Sequence, residues 1–186
     1  RDIKYKDLNH DGVIDSNDQA PIGYNPVPEM TFSLAAGLNW KGIDFSILLQ
    51  GAARSSIYLQ QDIAWDNFWG NYYEEHIGRW TPETAATATY PRFTKAATAA
   101  HPNYYKSDYW LKDSKYLRLK NIQLGYTIPR KLLKKFGVRS LRVYANAYNL
   151  FTWDNVKKVD PESSNNSNGQ FYPQQKVINF GINLNF

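Results

Sequence analysis

Lys176-Val177-Ile178-Asn179-Phe180-Gly181-Ile182-Asn183-Leu184-Asn185-Phe186 closes the chain and decides how the rest is read. On a pleated strand Ile178, Phe180, Ile182, Leu184 and Phe186 share one side, and Val177, Asn179, Gly181, Asn183 and Asn185 the other. Three asparagines on one face make a poor dry core. An apolar row alternating with a polar row suits a strand that crosses a membrane in a β-barrel, with lipid on one side and a wet lumen on the other. An amphipathic strand of a soluble sandwich would carry a similar pattern.

Composition is compatible with that strand and narrows the classes. The 186 residues include six Trp, fourteen Tyr and nine Phe, but no run of about 18 apolar residues that could form a transmembrane helix. Any crossing of a bilayer must therefore be made by strands. The absence of cysteine excludes a disulfide scaffold and a thiolate metal site. The start, Arg1-Asp2-Ile3-Lys4-Tyr5, has none of the regions of a signal peptide, so the expectation is a piece of a longer protein. Net charge is +5, yet the basic residues are scattered apart from Lys131, Lys134 and Lys135. Nucleic-acid binding would need a basic stripe on one face, and is not expected.

Four more segments repeat the terminal pattern. Leu141, Val143, Ala145, Ala147 and Phe151 alternate with Arg142, Tyr144, Asn146 and Tyr148. Ile122, Leu124, Tyr126 and Ile128 mark one face of residues 116 to 128, while Leu117 and Leu119 fall on the opposite parity. A bulge, or emergence of the strand from the membrane near Lys120, accounts for that change. Phe32, Leu34, Ala36, Leu38 and Trp40, then Phe45, Ile47 and Leu49, complete the set, with only Lys41-Gly42 between the two runs. A two-residue connection of that kind is a tight hairpin. The predicted strands are 32 to 40, 43 to 54, 116 to 128, 141 to 151 and 176 to 186.

The connections alternate between short and long. Outer-membrane barrels have short periplasmic turns and long extracellular loops, which puts Lys41-Gly42 and Pro129 to Arg139 on the periplasmic side. Residues 1 to 30 are then an extracellular loop, and 31 to 186 carry the C-terminal barrel strands with long extracellular loops at 56 to 114 and 152 to 175. Trp40, Tyr126 and Phe186 would gather at the periplasmic interface, and Tyr116, Phe151 and Trp153 at the outer one. Phe186, at the end of an apolar row, also resembles the terminal signal read by the barrel assembly machinery. Thr84 to Thr89 is low in complexity and is expected to be a loose tip, and Asp160 to Gly169 reads as loop. The fold class is all-β: an antiparallel transmembrane β-barrel segment of about five strands, too few to close, since the smallest single-chain barrels use about eight.

The order of motifs adds a resemblance. Tyr5 to Asp18 followed by Pro21-Ile22-Gly23, then Tyr116 to Tyr126, then Arg142 to Thr152, then Pro173 before the last strand, resemble the C-terminal end of the SusC/RagA family over essentially the whole chain. That resemblance implies a TonB-linked outer-membrane transporter with a barrel of about 22 strands. It further implies an N-terminal plug and TonB-contacting segment, absent from this chain, and a SusD-like surface lipoprotein as partner. The implied cargo is a glycan or a peptide.

One segment has explicit site chemistry. Asp7, Asn9 and Asp11 take the first, third and fifth places of a calcium loop, Gly12 the turn, Val13 the carbonyl position, and Asp15 and Asp18 the two that follow. Alternate residues of a curled loop converge their oxygens on one hard cation, and Ca²⁺ is the fitting one. Asp18 stands where glutamate is usual, as in dockerin-type loops. The competing expectation is a cluster of Asp, Asn and Gly turns held by side-chain to backbone hydrogen bonds.

No catalytic constellation is found. His10, His76 and His101 are dispersed, Glu74 and Glu75 beside His76 have no partner motif, and Asp113-Ser114 lacks a nucleophile elbow. The long loop is richer as a binding surface, because Trp65, Trp69, Trp80, Tyr109 and Trp110 lie among polar residues. Flat aromatic faces with hydrogen-bonding neighbours suit a sugar or a protein partner, and they equally suit packing of the loop on itself. The alternative to a transporter segment is a soluble calcium-binding β-sandwich, such as a carbohydrate-binding module.

Overall fold

Lys41 and Gly42 have φ of 46° and 89°, the left-handed pair of a two-residue hairpin turn, and they join Met30–Trp40 (β1) to Ile43–Ala53 (β2). The computed structural model describes residues 1–95, 100–157, 159–163 and 172–186. A two-stranded pair, Ser56–Tyr58 (β3) and Leu111–Asp113 (β4), follows within the loop region. Tyr116–Thr127 (β5), Ser140–Asp154 (β6) and Val177–Asn185 (β7) complete a five-stranded antiparallel sheet in the order β1-β2-β5-β6-β7. All five predicted strands are present and consecutive in the sheet. At 9 to 15 residues each, they match the length a tilted strand needs to cross a bilayer.

The register lines up the apolar residues in rows across strands. Trp40, Ile43, Tyr126, Val143 and Ile182 are successive partners, as are Leu38, Phe45, Leu124, Ala145 and Phe180, and then Ala36, Ile47, Ile122, Ala147 and Ile178. Above them come Leu34, Leu49, Leu119 and Phe151, then Phe32, Gly51, Leu117 and Trp153. The parity change in β5 is a bulge: Asn121 pairs with Leu48 and Leu119 with Leu49, so Lys120 is the extra residue. That insertion returns Leu117 and Leu119 to the face of Ile122 and Leu124.

This face is bare. Phe180 is 82% exposed and Ile182 69%. A soluble sandwich covers such a face with a second sheet, and soluble monomers rarely leave a continuous apolar surface of this extent. The β-sandwich alternative therefore lacks the layer it needs among the described residues. A wall facing lipid needs no cover, because the ladder already satisfies its backbone groups.

Two loop expectations change, and one expected turn is partly helical. β6 runs on to Asp154, so the loop expected at 152 to 175 starts later; Phe151 and Trp153 extend the apolar rows by pairing with Leu119 and Leu117. Thr84 to Thr89 is tied down: the Thr84 hydroxyl donates to the Arg79 carbonyl at 2.8 Å, and Thr89 N–H donates to Gly78 O at 3.0 Å. The turn after β5 contains a short helix, Arg130–Leu133 (α1), which Gly137 ends at φ 68° after one further tight turn. Ser164 to Gly169 of the expected loop run lie outside the described residues. The chain divides into two compact units. One holds Arg1–Pro26 with Ser56–Asp113, and the other holds the sheet, in Val27–Ser55, Ser114–Glu162 and Tyr172–Phe186.

Candidate functional site

The inner face of the sheet is polar and fitted together across strands. Asp44 on β2 receives two hydrogen bonds from the Arg142 guanidinium on β6, at 2.9 and 2.5 Å. These side chains lie over Gly125 of the intervening strand, where a Cβ would strike both, and the Tyr144 ring lies over Gly181 in the same way. Arg142 also stacks 4.7 Å from the centre of the Tyr144 ring. Two glycines thus let long polar side chains lie flat against the wall. Further along, Asn179 donates to Asn146 at 3.0 Å and Asn185 to Ser140 at 2.7 Å.

At the other end of β5 the same face holds a buried ion cluster that the sequence reading did not find. Arg118, only 2% exposed, donates to Asp160 at 2.8 Å, to Glu162 at 2.9 Å and to the Thr152 hydroxyl at 2.9 Å. The Tyr116 hydroxyl donates to Glu162 at 2.6 Å, and Lys120 stands 3.3 Å from the same carboxylate. The segment after β6 is thereby pinned to the inner wall. A charged residue between Leu117 and Leu119 was the available signal, since a cation placed mid-strand needs a partner.

The loop unit is built around another buried charge. Asp66 is fully buried, and its carboxylate accepts from the Tyr104 hydroxyl, from the Tyr90 hydroxyl at 3.3 Å and from Thr94 N–H at 2.9 Å. Burial, then the neighbouring Asp66, pushes both phenols well above the usual tyrosine range. Rings close around them: Trp65 lies 4.7 Å from Tyr104, and His76 4.6 Å from Tyr90. His76 accepts Tyr73 N–H on Nδ1 at 3.0 Å and contacts the Ala64 carbonyl through Nε2 at 3.2 Å, so it is a satisfied structural residue. Asn103 ties in the N-terminal segment, accepting Ile3 N–H at 2.9 Å and donating to Asp2 at 3.0 Å. The Arg92 guanidinium bonds Asp2 at 2.7 and 3.0 Å and holds its carboxyl below the usual range.

The aromatic candidates separate by burial. Trp65 and Trp110 are core residues at 4% and 3% exposure, out of reach of any ligand, and they pack the loop. Trp80 and Tyr109 line an open cleft of about 570 Å³ together with Lys4 and Asp108. Trp69 is 83% exposed at the tip of a turn in which Asn67, Trp69 and Gly70 all have positive φ. A bulky residue held in that conformation is strained, and strain of this kind concentrates at functional positions.

In the calcium-like loop the carboxylates face backbone amides. Asp7 accepts His10 N–H at 2.6 Å and Gly12 N–H at 2.9 Å, and Asp11 accepts Val13 N–H at 2.8 Å. Asp15 accepts Asn17 N–H at 2.7 Å, and Asp18 accepts Leu8 N–H at 2.7 Å and Asp15 N–H at 2.9 Å. The bonds from Asp15 and Leu8 are the first causes of a lowered Asp18 carboxyl pKa. The donors are of the right chemistry, and Gly12 has φ 84° at the turn. Among the described residues, however, no three acidic or histidine groups converge as a ready metal cage.

Phe186 is exposed and continues the outward row of β7. The described residues contain no helix long and apolar enough to cross a membrane. A single antiparallel sheet, apolar on one face and wet on the other, is a segment of an outer-membrane β-barrel wall. No family model matches the chain. It is 30% identical over 98% of its length to TonB-dependent receptor P26 of Formosa agariphila, covering 19% of that protein. It is 27% identical over 98% of its length to TonB-dependent receptor SusC of Bacteroides thetaiotaomicron, covering 17% of it. The fold superimposes on the structure of the RagAB peptide importer in its open-open state with a TM-score of 0.68 at 23% identity, over 94% of this chain and 19% of that one. Along nearly its whole length the chain is similar to one part of TonB-dependent receptors of the SusC/RagA kind, and it spans under a fifth of the length of the relatives it matches.

Proposed function

We propose that the receptor containing this chain imports nutrient oligomers, glycans or peptides, across the outer membrane, driven through TonB and assisted by a SusD-like surface lipoprotein. The observation that supports it is the similarity to TonB-dependent receptors along 98% of the chain, joined to a sheet with one lipid-facing and one polar face. In this reading the strands supply the wall and the loop unit supplies recognition, because binding residues are commonly carried by loops on a rigid scaffold. Trp69 and the cleft of Trp80 and Tyr109 are the surfaces open to a ligand or the lipoprotein. Trp69→Ala with Trp80→Ala in the full-length receptor should lower uptake or co-purification of the lipoprotein at unchanged outer-membrane abundance. If both survive, recognition does not reside on these rings.

Two further assignments belong to this proposal. Asp7, Asn9, Asp11, Val13, Asp15 and Asp18 take up Ca²⁺ when their carboxylates turn part of their oxygen lone pairs from the amides to the cation. Phe186 ends the lipid-facing register and serves the barrel assembly machinery. Phe186→Asp should therefore reduce barrel insertion far more than a change at Asn185, which faces the lumen; equal surface levels of the two variants would remove that role.

A further inference from the structure

The turn from Pro129 to Ser140 joins two membrane-crossing strands at the short-turn end of the sheet, yet it is not merely a connector. It contains no acidic residue and five basic ones: Arg130, Lys131, Lys134, Lys135 and Arg139. All five are exposed, and among the described residues none makes an ion pair. By contrast Arg118, Lys120 and Arg142 on the sheet's inner face are each paired with a carboxylate.

The apolar residues of the same turn are divided. Leu133 is buried, in a helix that lies against β6, whereas Leu132 is 65% exposed and Phe136 76%. Leu132 and Phe136 are four residues apart, so they share one side of the short helical stretch. The strand ends beside them carry the exposed Tyr126 and, through the β1–β2 hairpin, Trp40 with the Lys41 ammonium 4.9 Å above its ring. An exposed apolar pair among cations that make no ion pair, at the short-turn end of a lipid-facing wall, has the chemistry of an element lying in a membrane interface.

We propose that this turn is an interfacial anchor for anionic phospholipids of the inner leaflet, with Leu132 and Phe136 seated among acyl chains and Lys131, Lys134 and Lys135 on headgroup phosphates. The inner leaflet is the surface that short turns of such barrels meet. Charge complementarity selects the headgroup, and the exposed Leu132 and Phe136 select a lipid over a free anion. The inference rests on the membrane placement of the sheet and is independent of what the receptor transports.

The test uses the full-length receptor in nanodiscs of mixed phosphatidylglycerol and phosphatidylcholine, with retained lipid counted by mass spectrometry. The wild type should enrich phosphatidylglycerol by about fivefold, an enrichment that salt screens. Lys131→Gln, Lys134→Gln and Lys135→Gln together should abolish the enrichment at unchanged barrel folding, judged by resistance to unfolding in cold detergent. Undiminished enrichment in that variant, or in wild type at high salt, would overturn the proposal. Loss of wild-type enrichment on adding millimolar inorganic phosphate in a salt-matched comparison would also overturn it, in favour of a soluble-anion site.

Discussion

The guanidinium of Arg118 lies 2.9 Å from the carboxylate of Glu162, forty-four residues further along the chain, and with Asp160 it forms an ion cluster whose cation is almost closed to water. Removing both counter-charges strands a buried cation, which typically costs about 3 to 5 kcal/mol. Asp160→Asn with Glu162→Gln should therefore lower the denaturant midpoint of the full-length receptor and open trypsin cleavage at Lys157. Arg118→Met should cost less, because the two carboxylates it leaves keep some access to water. A double variant as resistant as wild type would show that the cluster does not hold this segment.

The loop unit should be labile to alkali. Burial raises Tyr58 and Tyr109 from 10.0 to about 12, and Tyr90 and Tyr104 further still. These phenols hold their protons more tightly when folded, so their contribution is complete below about pH 10 and is lost as pH rises through the folded values. Absorbance at the phenolate band should show these tyrosines ionising only together with loss of loop structure. Free titration of all fourteen tyrosines near pH 10 in a folded protein would contradict the buried network.

Three of the loop's four tryptophans should behave differently. Trp65→Ala and Trp110→Ala each empty a core position and should cost about 3 to 5 kcal/mol. Trp69→Gly removes an exposed ring from a backbone at φ 51°, and should be neutral or stabilising by about 0.5 kcal/mol. Thermal melts followed by near-ultraviolet circular dichroism distinguish them, and equal losses in all three would refute the burial assignment.

Calcium should add to a loop that already holds its shape. Asp7 and Asp11 cap backbone amides, so Asp7→Ala with Asp11→Ala is expected to loosen residues 7 to 18 even in chelator. In wild type, Ca²⁺ should raise the melting temperature more than Mg²⁺ does, and the double variant should lose that response. An identical response in both proteins would leave only the turn cluster.

The sheet was legible because a period of two, interrupted once, carries its own register. Leu117 and Leu119 on the wrong parity against Ile122 and Leu124 demanded a bulge near Lys120, and the ladder has one there. The loop unit was legible only as rich in aromatics. Trp65 and Trp69 are the same residue type four positions apart, and their opposite exposures are decided by partners such as Tyr104 that no local pattern reveals. The Arg118 cluster and the Asp66 network were hidden for the same reason: each charge finds its donors or acceptors far along the chain.

The central claim is that this sheet is a barrel wall whose rows face lipid across the bulge. This chain has no cysteine, so once any cysteine elsewhere in the receptor is replaced by serine, Leu119→Cys, Asn121→Cys, Ile122→Cys and Gln123→Cys each place one nitroxide label in β5. Collision with lipid-soluble oxygen and with a water-soluble nickel chelate, measured in the full-length receptor in liposomes, reports which side each label occupies. Labels at positions 119 and 122 should be open to oxygen and shielded from nickel, and those at 121 and 123 the reverse. Oxygen exposure that instead keeps an unbroken period of two from 119 to 123, or is uniform at all four positions, would contradict the lipid-facing register.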